Sequence, residues 1–497
     1  MPPGVRRLPP YVTVSSAAPI TRASVGLRSE RGPVLGSVML STALIAIDTT
    51  ILATAVPAIV EDVGGFTQFP WLFSTYLLAQ AVSTPVYGKL TDLFGRKPLM
   101  LFGIGLFVLG SVLCAAAWSM TALIAFRGVQ GLGAGAIAPA GMTIMGDIYS
   151  VAERAVAQSY VAGVWAVSAV VGPTLGGVLS EHASWRWIFW INVPLGILAA
   201  VVLLRRFHEE PHTAARKPLD VGGAILLAGA AGLLLLGLLE GGIRWAWWSP
   251  VGVGIFAVAV LLLVVFVLVE RTVSDPVLPL WVFGHRVLTS SMVGAFVVGM
   301  VMLGVTSYVP VYAQQVLDSD PVVAGLAVAA LAIGWPIASS TAGRFYVAWG
   351  FRPCLLAGAV FGVLGSLIIL SAGPGTSVVL LAAGCLVLGF GLGYVASPGV
   401  IAAQSAVAWR DRGVATGTNM FSRSVGSAVG VAIFGAIANG VVTSRTGGSA
   451  GDVELETLPV SVLEPALHTV FVGVAVTAVA LVVAGLLMPR RFDGADG

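Results

Sequence analysis

Charge is what this sequence has least of. Only 10% of its 497 residues are Asp, Glu, Lys or Arg, against 57% hydrophobic residues and a mean hydropathy of +0.95. Soluble domains carry about 25% charged residues, so a soluble globule is excluded and a polytopic membrane protein is indicated. Lysine is nearly missing: there are only Lys89, Lys97 and Lys217, none followed by Ser or Thr. That leaves no Walker-type phosphate loop and no case for an ATP-driven pump. Cys114, Cys354 and Cys385 stand singly in apolar runs, which suggests neither a disulfide framework nor a thiolate metal site. The five histidines lie in loops or at helix ends, no HExxH occurs, and no soluble stretch is long enough to hold an active site. No enzyme, metal or cofactor is therefore expected.

What is present is apolar sequence in long runs. About twenty residues of helix cross roughly 30 Å of hydrocarbon. Runs of that kind occur at 33–57, 70–88, 98–118, 121–141, 156–179, 187–204, 219–239, 250–269, 287–312, 322–342, 353–372, 376–399, 413–438 and 467–488. With the N-terminus inside, cytoplasmic segments collect Lys89, Arg96, Lys97, Arg154, Arg205, Arg206, Arg216, Lys217, Arg271, Arg286, Arg344, Arg352, Arg410, Arg412, Arg490 and Arg491. External loops keep only Arg186, Arg244 and Arg445. The positive-inside bias predicts both termini in the cytoplasm and an even helix count. Residues 1–32, with Pro, Ser and Arg6, Arg7, Arg22, Arg28 and Arg31, read as a disordered cytoplasmic tail and not as a signal peptide.

Between the second and third runs stands Gly88-Lys-Leu-Thr-Asp92-Leu-Phe-Gly95-Arg96-Lys97-Pro98. Glycine permits close approach and positive φ, Asp92 can accept from a helix N-terminus or an arginine, and Arg96 and Lys97 are expected to anchor the turn on the inner face. A second copy, Gly343 to Pro353, follows at an offset of 255, with Val347 where the first has Asp92. Gly131, Gly133, Gly135 and Gly141 recur as Gly389, Gly391, Gly393 and Gly399, and Glu153-Arg154 as Asp411-Arg412. The halves thus repeat, leaving the seventh and eighth runs as an insertion.

The first loop resembles the signature loop of the major facilitator superfamily, and the repeat plus insertion resembles its fourteen-helix drug:proton antiporter branch. Ile47-Asp48 to Pro57 looks like that branch's first-helix motif, and Arg127-Gly-Val-Gln130-Gly131 like the superfamily's fourth-helix motif. Gly163 with Gly172-Pro173-Thr-Leu-Gly176-Gly177 is similar to the fifth-helix antiporter motif, and Trp185 to Pro194 to the sixth-helix entry of EmrB/QacA-type exporters. The implied fold is an all-α polytopic membrane protein with 14 transmembrane helices. Its expected parts are a tail (1–32), a six-helix bundle (33–204), a linker (205–218), a two-helix insertion (219–270), a second six-helix bundle (285–489) and a tail (490–497).

Asp48 is the only acid well inside a span, and Arg127 sits at a comparable depth. Charges there are costly, so each should face a cavity or a partner. Asp48 is expected to carry the coupling proton with Arg127 tuning it; a purely structural pair is the alternative. Pro173 and its glycines suggest tight packing at a hinge that limits leak. Depth and polarity nominate Tyr76, Gln80, Gln130, Trp165, Tyr308, Asn419 and Arg423 as cavity lining. Apolar walls with scattered aromatics and amides favour bulky, amphipathic or cationic compounds over sugars, and the resemblance implies hydrophobic or cationic drug-like ones. The expected function is a proton-coupled exporter working by alternating access in a bacterial plasma membrane. Export of one endogenous product such as a lipid or antibiotic, or import by the same fold, remain alternatives. Expected partners are the small-molecule substrate, protons and the bilayer, with no nucleic acid, and the chain is expected to be monomeric.

Overall fold

The computed structural model describes residues 25–64, 68–209, 220–242, 244–273, 276–446 and 459–490. Most of the expected N-terminal tail, most of the 205–218 linker, with Arg216 and Lys217, and Arg491 fall outside them. Residues 25–31 are not free of the fold. Val25 is fully buried and accepts a hydrogen bond from the Tyr149 hydroxyl, and Arg31 pairs with Glu153 at 2.9 Å.

The first half comprises α1 (Gly32–Val63), α2 (Pro70–Phe94), α3 (Arg96–Ala115), α4 (Met120–Ile148), α5 (Val151–His182) and α6 (Asn192–Arg206). Then follow α7 (Val221–Glu240) and α8 (Pro250–Glu270). The second half comprises α9 (Arg286–Gln315), α10 (Pro321–Trp349), α11 (Phe351–Leu370), α12 (Val378–Ser405), α13 (Arg412–Thr446) and α14 (Val460–Val479), continued by Leu481–Leu487. No strand occurs among the described residues.

Several helices outrun the apolar stretches that announced them. α4 has 29 residues, about 43 Å at 1.5 Å per residue, so it overshoots the hydrocarbon and carries Asp147 beyond it. Apolar windows mark only what lipid requires; capping and packing outside lipid extend the helix. The sixth run is shortened at its start instead. Pro194 has no N–H to return to Trp190, and a separate turn Trp187–Trp190 precedes α6.

Among the described residues, thirteen helical segments are long and apolar enough to cross a membrane. α2, at 25 residues, is long enough, but Gln80, Ser83, Thr84, Lys89, Thr91 and Asp92 lower its hydropathy. Its position explains the polarity, because it packs among α4, α7 and α13 and presents little surface to lipid. α8 is the opposite case, apolar all round and mostly exposed.

Each half builds its own core. Val297, Val301, Leu388, Phe434 and Phe471 belong to one continuous cluster from α9, α12, α13 and α14. Leu44, Met100, Phe107 and Ile137 tie α1, α3 and α4 together in the first half. The insertion sits on the seam between halves: Leu235 of α7 packs against Ala81 of α2 and Ala428 of α13. The repeat is visible in the turns. Gly95 and Gly350, each a single residue between two helices, adopt φ of 94° and 90°, the left-handed region where a side chain is strained.

Candidate functional site

Three arrangements hold the functional side chains. The first is a buried polar knot in the first half. Arg127 on α4 places Nη1 2.5 Å from Asp48 Oδ2 on α1 and 2.6 Å from Gln130 Oε1, and its Nε donates to the Leu72 carbonyl at 3.2 Å. Gln130 Nε2 donates to Asp48 Oδ1 at 2.7 Å and to Ser111 Oγ at 2.8 Å. Asn192 of α6 donates to the same Asp48 oxygen at 3.2 Å, and the guanidinium lies over the Tyr76 ring at 4.1 Å. All six side chains are at most 1% exposed. Four helices and the Leu72 backbone thus satisfy one carboxylate and one guanidinium, the condition under which a buried ion pair is tolerated.

The second arrangement locks the halves together at the arginine-rich end. Asp92, at the end of α2, accepts from the backbone N–H groups of Gly413 at 2.8 Å and Val414 at 2.9 Å, the start of α13. A carboxylate at a helix N-terminus meets unsatisfied donors and a favourable dipole together. Arg96, expected to anchor the turn, is held inside the protein. It is fully buried, its Nε lies 2.9 Å from Asp147, its Nη2 donates to the Trp409 carbonyl at 2.7 Å, and its plane stacks 3.7 Å over the Trp409 ring. Arg412 reaches the same Asp147 at 3.2 Å, and Arg154 donates to Ser405 at 3.1 Å. Lys97 turns instead to the carbonyls of Leu204 and Phe207 at the end of α6. Glu209 caps the first two amides of α3 at 2.7 and 2.9 Å.

Glycine lets the locked helices touch. A Cβ on Gly88 would stand 2.6 Å from the Gly413 carbonyl oxygen and 3.1 Å from Gly417 Cα, so α2 and α13 meet backbone to backbone. The repeat closes differently: Val347 is exposed, and its neighbour Tyr346 donates to the Val151 carbonyl at the start of α5. Asp92 has no counterpart there.

The third arrangement is a central, partly open cavity of about 160 Å³. First-half helices contribute Thr42, Ile45, Gln80, Met142, Gln158 and Trp165 among others; second-half helices contribute Trp335, Ser397, Asn419, Met420 and Arg423. Of the sequence nominees, Gln80, Trp165, Asn419 and Arg423 line it. Tyr76 and Gln130 do not; they belong to the Asp48 knot. Tyr308 packs against the second-half core. Depth and polarity cannot reveal helix rotation, which is what separated these three from the wall. The same limit hid Asn192 and Ser111 as partners of Asp48.

The α5 glycines divide by environment. Gly172 and Gly176 press on Thr50, Ile51 and Thr54 of α1, where Thr50 donates to the Ser168 carbonyl at 3.0 Å, while Gly163 and Gly177 face open space. Pro173 lies within an unbroken helix. At the far end, Trp185 and Arg186 donate to Asp62 at 3.0 and 2.6 Å, and the arginine holds that carboxyl below its usual range.

Comparison with known proteins agrees with this architecture. Residues 38–221 and 220–431 match the family model described as Major Facilitator Superfamily. The chain is 34% identical over 412 residues to Multidrug resistance protein 3 of Bacillus subtilis (strain 168), covering 83% of this chain and 80% of the relative. It is 31% identical over 414 residues to Multidrug transporter protein MdtP of the same organism, at 83% and 76% coverage. Efflux pump dotC of Dothistroma septosporum is 30% identical over 404 residues, at 80% and 70% coverage. The human organic anion transporter MFSD10 (TETRAN) shares the fold, with a TM-score of 0.65 at 16% identity over 93% of this chain and 99% of that one. A many-helix fold with an internal repeat, a cavity shared by both halves and similarity to named transporters over most of its length make this chain a member of the major facilitator superfamily, a membrane transporter and not an enzyme.

Proposed function

We propose that the protein is a secondary active exporter that exchanges protons for bulky, largely apolar molecules by alternating access. The observation that carries the reading is the pairing of a two-half cavity with a cross-half lock at one end. The hydrogen bonds that join first-half to second-half groups through Arg96, Asp92, Asp147, Arg154, Tyr346 and Gln404 lie at the arginine-rich end. By the positive-inside rule that end is cytoplasmic, so this conformation is closed inward and the chain places both termini in the cytoplasm. The relatives named for multidrug resistance and efflux support drug-like substrates and a bacterial plasma membrane.

In this reading Asp48 is the proton carrier. It is the one carboxylate deep in a span, and it does not touch the cavity, so proton and substrate communicate through helix position. Ile45 and Thr42, one and two turns away on α1, line the chamber. Protonating Asp48 releases Arg127, and the freed pair of helices can shift against each other. One proton crossing ~100 mV supplies about 2.3 kcal/mol, and a unit of pH adds about 1.36 kcal/mol, enough to drive roughly a 500-fold gradient. The test is reconstitution of the monomeric protein in vesicles with an imposed pH gradient and a fluorescent apolar dye. Export must follow the gradient and collapse with a protonophore; export indifferent to both would reject the reading.

A further inference from the structure

The cavity wall contains a single charged side chain, Arg423 on α13. Among the described residues the four buried arginines, Arg96, Arg127, Arg154 and Arg412, are all partnered: three by an aspartate, and Arg154 by Ser405 and the Gly146 carbonyl. Among the described residues no carboxylate lies within ion-pair distance of Arg423, and no hydrogen bond holds its guanidinium. No acid lines the cavity at all. Asp48, the interior carboxylate, is committed to Arg127, Gln130 and Asn192.

An unpaired guanidinium at that depth is costly unless something pairs with it. It is always charged, and its planar fork matches a carboxylate with two parallel hydrogen bonds. Around it stand the apolar and aromatic surfaces of Trp165, Trp335 and Met420, with the Gln80 amide across the chamber. A fixed cation without an acid repels organic cations, and it attracts an anionic head whose body fills the apolar space. We propose that the preferred substrates are amphipathic organic monoanions, an apolar or aromatic body bearing one carboxylate that docks on Arg423. This rests on the chamber being the transport cavity and narrows the expectation of hydrophobic or cationic compounds. Its electrical consequence is specific: one proton inward with one monoanion outward moves two charges per cycle, whereas exchange with a monocation moves none.

The test uses three fluorophores with the same naphthyl body, carrying a carboxylate, a carboxamide or a primary amine. Binding is measured on detergent-solubilised full-length protein, with no gradient present, so the result is independent of whether proton coupling itself holds. Wild-type protein should bind the carboxylate at least tenfold more tightly than the amine. Arg423→Gln should erase that preference while keeping affinity for the carboxamide, and Arg423→Lys should keep part of it. In vesicles, a potassium diffusion potential should accelerate export of the carboxylate. Equal or tighter binding of the amine by wild-type protein, or a carboxylate preference that survives Arg423→Gln, overturns the proposal. Retained carboxamide binding identifies folded variants; loss of all three ligands in Arg423→Gln directs the decision to Arg423→Lys and the wild-type ratio.

Discussion

Replacing Asp92 with Asn tests the lock most directly, because it preserves size and removes only charge. Asp92 accepts two backbone hydrogen bonds, at 2.8 and 2.9 Å, from the first amides of α13, with Arg96 at 3.4 Å. Hydrogen bonds to a charged group contribute about 1.5–3 kcal/mol each, and a carboxylate on a partly buried helix N-terminus adds up to about 2 kcal/mol. Asn keeps one acceptor oxygen, so the closed state should lose about 2–4 kcal/mol, a shift of roughly 30- to several-hundredfold toward opening at the arginine-rich end. Spin labels on cysteines replacing the exposed Phe94 and Val347 would report the separation of the two halves at this end. Asp92→Asn should populate a longer distance, lose net transport and leave substrate binding largely intact. An unchanged distance distribution with normal transport would refute the latch.

Asp48→Asn should abolish export driven by a pH gradient and proton release on substrate binding, while downhill exchange persists; proton antiport at wild-type rates would move the coupling site elsewhere. Arg127→Lys should be partly active, because an ammonium cannot reproduce the contacts to Asp48, Gln130 and Leu72 together. Arg127→Ala leaves Asp48 buried and unpaired at a cost of about 3–5 kcal/mol, visible as a lower unfolding temperature, and should be inactive; a fully active variant contradicts this. Gly88→Val should hold α2 away from α13 and arrest the protein open at the arginine-rich end, read with the same labels at Phe94 and Val347.

How much of this could be read from the chain depends on whether the cause was local. The glycine turns at Gly95 and Gly350 and the repeat around them were legible, since positive φ and spacing are properties of a few adjacent residues. Asp92 was legible in kind: an acid in a tight turn between helices seeks a helix end or an arginine, and it found both. The partners of Arg96, Asp147 and Trp409, were not legible, because they lie far along the sequence and only folding brings them near. Equal depth put Asp48 and Arg127 within reach of each other but left open whether each would face a cavity or its partner. That Gln130 and Tyr76 join that pair, while Gln80 and Trp165 reach the cavity, depends on helix rotation, which a nearly uniform apolar background does not encode.

The contact of α2 with α13 through Gly88, Gly413 and Gly417 also bears on the thermodynamics of opening. Large heat-capacity changes come from exposing apolar side chains to water, and the part of the seam where these three glycines put backbone against backbone has little of that to expose. Parting it mainly exchanges protein hydrogen bonds for hydrogen bonds to water. The equilibrium between gate states at this seam should therefore respond to temperature with a nearly straight van't Hoff line, where a leucine-packed interface of the same extent would give a curved one.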